Sequence, residues 1–437
     1  MTSPGQSFGF NVVGYISGNL GLGVAARHVS SLVLERNLPL AVLDIDPQGE
    51  GSEHDVSFRG HAISSAEALP YGITLFVLPP QTLFAFRQDP KTRPLLLRRE
   101  GIQSAFLMWE HSRLPRLWRS TLRILDVIVA ASHFVRSACD TTLDGVLTIP
   151  AAFPLRLPDV APSRERFQLP SNAVIFVTSF EAYGADRKNP LGAVAAFRRA
   201  LPNDRNAMLV IKVNNPIAGR APHPIVTRLR DECVGDSRLR LIEEPMSYRD
   251  VLTLYASCDA FVSLHRSEGL GLGLMEAMAL GKPVIGTAWS GNMSFMNATN
   301  SCLVSYRLVP VRSSLDVYSR RLLGSRALWA DADIDDAATW MKRLVAEPLT
   351  RAKIGLRAAE SMEAHVREAN HGAFLDELTS IYNDLPMMAS FQTKKGRVPE
   401  TERRLLRSDK RRAVWASVER VLDRHLLWRI KRWFPRG

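Results

Sequence analysis

An α/β protein with two parallel-sheet halves is the fold class this sequence predicts, and three observations carry the prediction. A strand–loop–helix pattern with a glycine-rich turn opens the chain, from Phe10 to Arg36. A second and more strongly marked unit of the same kind runs from Asp259 to Thr287. Between them Phe153 to Pro170 (FPLRLPDVAPSRERFQLP) is rich in proline and charge, as interdomain linkers are. A chain of 437 residues is too long for one ordinary core and suits two domains of roughly 150–200 residues plus an extension.

Composition narrows the function classes. Apolar content of 46% with 23% charged residues is that of a water-soluble globular protein. No apolar run approaches the ~18 residues of a membrane span; the best, Ile73 to Phe86, is short and broken by Pro79 and Pro80. MTSPGQS lacks a basic region followed by an apolar core, so no signal peptide is expected. Cys139, Cys233, Cys258 and Cys302 show neither metal nor redox spacing, which suits free thiols in a cytoplasmic protein. The net charge of +12 is concentrated: residues 391–437 hold 15 Lys/Arg and 5 Asp/Glu, leaving +2 for residues 1–390. A nearly neutral body with no recognition motif for DNA or RNA argues against nucleic acid as a partner.

In the first half Phe10 to Ile16 reads as a strand, Ser17 to Gly23 (SGNLGLG) as a loop and Val24 to Arg36 as a helix ended by Asn37. Leu40 to Ile45, Ile73 to Leu78, Ser104 to Trp109 and Val127 to Ala131 are further buried strands. The opening turn resembles a dinucleotide fingerprint, and Asp44 falls about where its ribose carboxylate would lie. Its glycines, however, run G-x-x-G-x-G (Gly18, Gly21, Gly23) rather than G-x-G-x-x-G. At the end of the third strand after that turn stand Glu110, His111 and Ser112. His111 is a candidate for contacting a bound sugar, and a packing or solvated loop histidine is the competing reading.

In the second half Val174 to Phe180 reads as a strand, followed by Asp186-Arg187-Lys188-Asn189-Pro190 and a helix to about Leu201. Asn189 is expected to cap that helix with Pro190 in its first turn, placing Arg187 and Lys188 beside a helix N-terminus suited to anions. A plain basic surface loop would look the same. Ala207 to Val213 is the next strand, with Lys212 near its end as a candidate ligand-binding cation; Leu239 to Glu243 follows. Ser247 to Asp250 resembles a capping box opening the helix Tyr248 to Ser257. Asp331, Asp333, Asp335 and Asp336 could suggest a metal, but aspartates before a helix more often cap it. Helical periodicity then runs from Met341 to Leu385, consistent with a last helix crossing back to the first domain.

The chemistry concentrates in HRSEGLGLGLMEAMALGKPVIGTAWSGNM, His265 to Met293. A buried strand, Asp259 to Leu264, feeds a glycine-rich loop and a helix from about Leu272 to Leu280 that Gly281 is placed to end; Pro283 to Thr287 is the next strand. The loop therefore lies at a strand's carboxyl end, where open α/β sheets bind ligands. Glu268 and Glu276, eight positions apart, flank a helix start whose backbone at Gly269, Leu270, Gly271 and Leu272 can approach a phosphate. Carboxylates accept from pairs of sugar hydroxyls, so the pattern suits a nucleotide-sugar.

This segment resembles the E-x7-E motif of retaining glycosyltransferases of family 4, members of the GT-B fold group. The resemblance is best from Val174 to Met293 and looser over residues 10–385. It implies two Rossmann-like domains facing a cleft: an acceptor-side domain over 1–155, a nucleotide-sugar-binding domain over 156–365 and a crossover helix over 366–390. It implies that Glu276 binds the ribose and Glu268 lies against the donor sugar. It also implies that Lys188 and Arg187 meet the diphosphate, and that the first loop, with Gly21 and Gly23, approaches donor phosphates and acceptor. The donor would be a nucleoside-diphosphate sugar, the acceptor a hydroxyl of a glycan or lipid-linked glycan, and the chemistry would need no cofactor or divalent ion. A scaffold that kept the site without turnover and a dinucleotide-dependent oxidoreductase are the other classes considered.

Residues 391–437 alternate basic residues with Trp415, Trp428, Trp433 and Phe434. Such a basic amphipathic segment suits an anionic membrane surface, or packing against the body or a partner.

Overall fold

The computed structural model describes residues 7–45, 55–65, 68–98, 101–214, 223–313 and 316–392. The first half comprises β1 (Ser7–Gly14), α1 (Gly21–Glu35), β2 (Leu40–Asp44), β3 (Tyr71–Val77), α2 (Pro80–Gln88), α3 (Arg93–Leu96), β4 (Ile102–Leu107), α4 (Arg119–Leu122), β5 (Val127–Ala130), α5 (His133–Thr142) and β6 (Leu147–Pro150). All neighbours are parallel, in the order β2-β1-β3-β4-β5-β6. Strands such as β4, buried at all six positions, read as unbroken apolar runs because helices cover both faces of the sheet.

The second half repeats the plan with β7 (Val174–Glu181), α6 (Ala185–Lys188), α7 (Pro190–Ala200), β8 (Ala207–Asn214), α8 (Pro224–Val234), β9 (Leu239–Ile242), α9 (Tyr248–Ser257), β10 (Ala260–Ser263), α10 (Leu272–Ala279), β11 (Val284–Thr287) and β12 (Cys302–Val304). Its parallel order is β12-β11-β10-β7-β8-β9. In each sheet the direction of strand succession reverses, between β1 and β3 and between β7 and β10. Ligand crevices open at such reversals, outside the carboxyl ends of the strands. β7 leads to Arg187 and Lys188, and β10 leads to Glu268.

Three features go beyond the sequence reading. The segment joining the halves is packed, not free: Phe153, Leu155, Phe167 and Leu169 are buried, and the Arg164 guanidinium donates to the Ser257 carbonyl and pairs with Asp259 at 2.7 Å. An antiparallel hairpin, β13 (Tyr306–Pro310) with β14 (Leu328–Ala332), follows β12. Val311, Val317, Tyr318 and Trp329 of this excursion share a buried cluster with Trp109, Leu114 and Trp118 of the first half, so it straps the halves together. Finally, α1 begins at Gly21, not Val24, which makes Gly21 and Gly23 its first turn.

The C-terminal elements are α11 (Arg320–Leu323), α12 (Ile334–Ala346), α13 (Pro348–Asn370) and α14 (Ala373–Gln392). Asp333 caps α12 by accepting from the amides of Asp335 and Asp336, the helix-start role expected of that cluster. Gly372 (φ +66°) turns the chain into α14, which returns to the first half: Phe374 packs edge-on to Phe106 and Asp376 pairs with Arg36 at 2.7 Å. The basic amphipathic segment lies outside the described residues from 393 onward.

Candidate functional site

The loop after β10 is held from behind. His265 is fully buried; its Nδ1 faces Ser263 and its Nε2 lies 3.0 Å from Asn292 Oδ1 and 3.2 Å from the Trp289 carbonyl. Ser290 Oγ accepts the Glu268 amide at 2.7 Å, and the Gly291 amide donates to the Glu268 carbonyl at 2.9 Å. Two loops of one sheet are thereby locked side by side, which fixes where Glu268 points. Gly271, at φ +98°, then makes the left-handed step that starts α10. Gly269 serves a different need from the one expected. A Cβ there would lie 2.8 Å from the Trp109 amide, so its missing side chain admits the other half of the molecule. Ser132 Oγ completes that contact by donating to the Gly269 carbonyl at 2.6 Å.

Glu268 sits between two cations. Arg187 Nη1 is 3.0 Å from its Oε2 and Lys188 Nζ is 2.6 Å from its Oε1. Burial alone would raise this carboxyl, but Arg187 and Lys188 hold it down at about 2. The two cations are not equivalent. Arg187 also donates to the Ser267 carbonyl (2.7 Å) and the Tyr318 hydroxyl (3.2 Å), and faces Glu110 at 3.7 Å. Its guanidinium is turned inward and saturated, so it does not lie open beside a helix start. Lys188 keeps a fifth of its side chain exposed and is the cation that can turn toward a ligand.

Asn189 departs from the expected cap. Residues 185–188 form a helical turn of their own, and Asn189 adopts a left-handed conformation between that turn and α7. Its side-chain amide donates to the Leu264 carbonyl at 2.9 Å instead of accepting from α7. This tie brings the β7 loop against the β10 loop and so delivers Lys188 to Glu268.

Glu276, on the buried face of α10, accepts from the Tyr248 hydroxyl at 2.9 Å. Burial pushes its carboxyl up to about 7, against the pull of Tyr248 and Lys188. Tyr248 opens α9, whose N-cap Ser247 accepts the Asp250 amide as the capping-box pattern expects. The first half meets this region directly: Asn19 Nδ2 donates to the Met246 carbonyl at 2.6 Å, and the His28 ring stands edge-on to Tyr248. Lys212 is buried, donates to the carbonyls of Val213 (2.7 Å) and Glu244 (2.9 Å), and is lowered to about 8 by burial. It shapes the loop beside α9 and does not reach Glu268.

His111 does not face the cleft. It is 3% exposed, with its ring against Trp109 (5.4 Å) and Tyr318 (5.2 Å), beneath the hairpin excursion. Burial and the Arg187 charge lower its imidazole to about 3, so it packs as a neutral ring. In the first loop Gly21 has open space at its Cβ position, whereas Gly23 lies against the Gly18 and Tyr15 carbonyls and is there for close packing. Asp44, where a dinucleotide would need a ribose acceptor, takes the Ser17 amide at 3.2 Å.

Sequence reading passed over Glu110, Tyr318, Tyr248 and Ser290. Only Glu110 carried a signal, as a carboxylate at a strand's carboxyl end beside His111. The others meet the site through contacts distant in sequence. Among the described residues no group of His, Cys, Asp or Glu is arranged to hold a metal ion, and no helix is long and apolar enough to cross a membrane.

Comparison with known proteins bears on the fold and on the segment from 164 to 305. No curated protein matches the chain in sequence. Among solved structures, sucrose-phosphate synthase from Thermosynechococcus elongatus is similar at TM-score 0.60 and 14% identity, covering 87% of this chain and 99% of that one. Anabaena Alr3699/HepE, solved with UDP and glucose, is similar at TM-score 0.59 and 13% identity, covering 86% and 100%. WaaG, a glycosyltransferase involved in lipopolysaccharide biosynthesis, is similar at TM-score 0.54 and 12% identity, covering 83% and 98%. Residues 164–305 match the family model described as glycosyl transferases group 1. The chain thus has the GT-B fold, and the segment that carries Lys188, Glu268 and Glu276 matches the family model of the glycosyl transferases group 1.

Proposed function

We propose that this protein is a retaining glycosyltransferase of the family 4 kind. It would move a hexosyl unit from a nucleoside-diphosphate sugar to a hydroxyl of a glycan or lipid-linked glycan in cell-surface polysaccharide synthesis. The observation that carries the reading is the row Arg187–Glu268–Lys188 with Glu276 beyond it, at the start of α10 and at the strand reversal of the second sheet. Glu276 would receive the ribose hydroxyls, with Tyr248 beside it, and the α10 N-terminus with Lys188 would face the diphosphate. Glu268 would lie against the sugar.

In transfer the bond from the anomeric carbon to the diphosphate oxygen breaks and its electron pair leaves with the diphosphate. The acceptor oxygen bonds to the same face of that carbon, and its proton passes to the departing phosphate oxygen. Charge grows on the leaving group as the bond lengthens, so Lys188 and the helix amides act most strongly in the transition state. Glu268, held ionised, steadies the positive charge that develops at the anomeric carbon. The halves close over the site and hold back bulk water, which competes with the acceptor for the sugar; with no acceptor bound, a water held in the closed site takes its place slowly. The basic segment from 391 onward would bring the enzyme to an anionic membrane surface and to a lipid-linked acceptor there.

A thermal-shift panel of UDP-, GDP-, ADP- and dTDP-sugars tests the reading. A donor present at 100 times its dissociation constant stabilises by about 2.7 kcal/mol. A clear rise in Tm with one nucleotide family is expected, and no response to any member would overturn the reading.

A further inference from the structure

Glu110 takes no part in the scheme above, yet it joins the halves at the reacting end of the site. It follows β4, on the first half. Its backbone carbonyl accepts the Ser267 hydroxyl of the second half, and its carboxylate lies 3.7 Å from Arg187 Nη2. Arg187 in turn holds Glu268 at 3.0 Å. The adjoining residue Trp109 presses its backbone to the space left by Gly269, so Glu110 reaches this position only while the halves are in contact.

We propose that Glu110 is a positioning residue for the transfer step: across the domain boundary it holds Arg187, which keeps Glu268 aligned with the donor sugar only when the halves are closed. The inference rests on the donor-site reading of Glu268 given above.

Charge explains why the fourth member comes from the other half. Within the second half Arg187 and Lys188 outweigh Glu268, and Glu276 offsets them only in part because burial raises its carboxyl to about 7, so net positive charge remains to attract an anionic donor into an open cleft. Closure brings in Glu110 and balances the group. Once the diphosphate draws Lys188 away, Glu268 depends on Arg187 alone, and Arg187 is then shared between two carboxylates with Ser267 and Tyr318 fixing its plane. Burial raises the Glu110 carboxyl and Arg187 opposes that rise, as expected of a charge that needs this partner. A guanidinium clamped on both sides cannot swing, and small misplacements at a reacting centre lower the rate strongly.

The test uses the nucleotide sugar and matching nucleoside diphosphate that stabilise the wild type most in the panel. It measures nucleoside-diphosphate affinity and the release of nucleoside diphosphate from the donor with water as acceptor. For Glu110→Gln, affinity should stay within about 2-fold while turnover at saturating donor falls about 10-fold or more, and Glu110→Asp should recover part of the loss. Ser267→Ala, which keeps the charge and removes the docking hydrogen bond, should show the same split and serves if the Gln variant does not fold. Wild-type turnover in either folded variant would overturn the inference. So would affinity and turnover falling in parallel, which would make Glu110 a ligand-binding or purely structural group. If the wild type binds no nucleotide sugar, the donor-site reading itself has failed; if it binds and Glu110→Gln is unaffected, only the role of Glu110 has.

Discussion

Lys188 Nζ lies 2.6 Å from Glu268 Oε1, and its charge also acts on Glu276, so one ammonium stands between the two glutamates of the eight-residue spacing. The backbone explains this. Asn189 ties the β7 loop to the end of β10, and Gly271 turns the chain so that α10 carries Glu276 back along the same side. Two carboxylates and one partly exposed cation at a helix start make a site where an anionic ligand can replace one carboxylate as the partner of the ammonium.

Lys188→Ala should therefore lower turnover more than donor affinity. Loss of one preorganised group facing a leaving oxygen reduces turnover by about 100-fold or more, whereas the ground-state diphosphate keeps the helix amides. Glu268 retains Arg187, so the variant should fold. Steady-state kinetics on the donor identified by thermal shift provide the check, and an unchanged kcat with a raised KM would remove Lys188 from the transition state.

His111→Phe should leave donor affinity intact, because the ring packs between Trp109 and Tyr318 away from the cleft. The imidazole is lowered to about 3 in the folded protein from an ordinary 6.5. Between those values the unfolded chain binds the extra proton, so His111 contributes a loss of stability as pH falls below about 6.5. Buried His28, also lowered to about 3 chiefly by burial, acts in the same direction. Denaturant melts at neutral and mildly acid pH should show a smaller acid loss in His111→Phe than in wild type.

Deletion after Ser390 should abolish sedimentation with anionic vesicles and leave donor binding unchanged. The removed segment carries +10 of the total +12 charge. Each basic residue near such a surface contributes about 1 kcal/mol, and salt screens the attraction within a Debye length. Wild-type sedimentation should thus be strong at low salt and weak at high salt. Equal sedimentation of both proteins would assign the segment to packing or to a protein partner.

Much of this molecule was legible in its sequence. Strands buried on both faces announced themselves as apolar runs, and Gly281 ended α10 as its position suggested, with φ +72°. The α9 helix occupies Tyr248–Ser257, the bounds its capping box implied. What stayed hidden has a common cause: it depends on contacts between segments far apart in the chain. Glycine at 269 reads as room for a ligand until Trp109 is found against it. Arg187 reads as a surface cation until Ser267, Tyr318 and Glu110 surround it. The β13–β14 hairpin escaped notice because its strands are short and half exposed, with Tyr306, Leu308 and Leu328 facing outward, and so lack a clean alternating pattern.

The ribose assignment of Glu276 is best tested by titration calorimetry of the preferred nucleoside diphosphate against wild type, Glu276→Ala and Glu276→Gln, at several pH values. Burial raises the Glu276 carboxyl to about 7 from an ordinary 4.5, so in the free protein its contribution to stability is full below the ordinary value and is lost as pH rises through about 7. Ribose hydroxyls donate to the ionised form, so binding should release a proton and wild-type affinity should rise with pH, levelling above about 7. Glu276→Ala should weaken binding by about 1.5–3 kcal/mol, the worth of hydrogen bonds to a charged acceptor. Glu276→Gln should bind weakly and with no such pH dependence. Undiminished affinity in a folded Glu276→Ala protein would contradict the ribose assignment, and with it the reading of Glu268 and Glu276 as the two ends of one donor site.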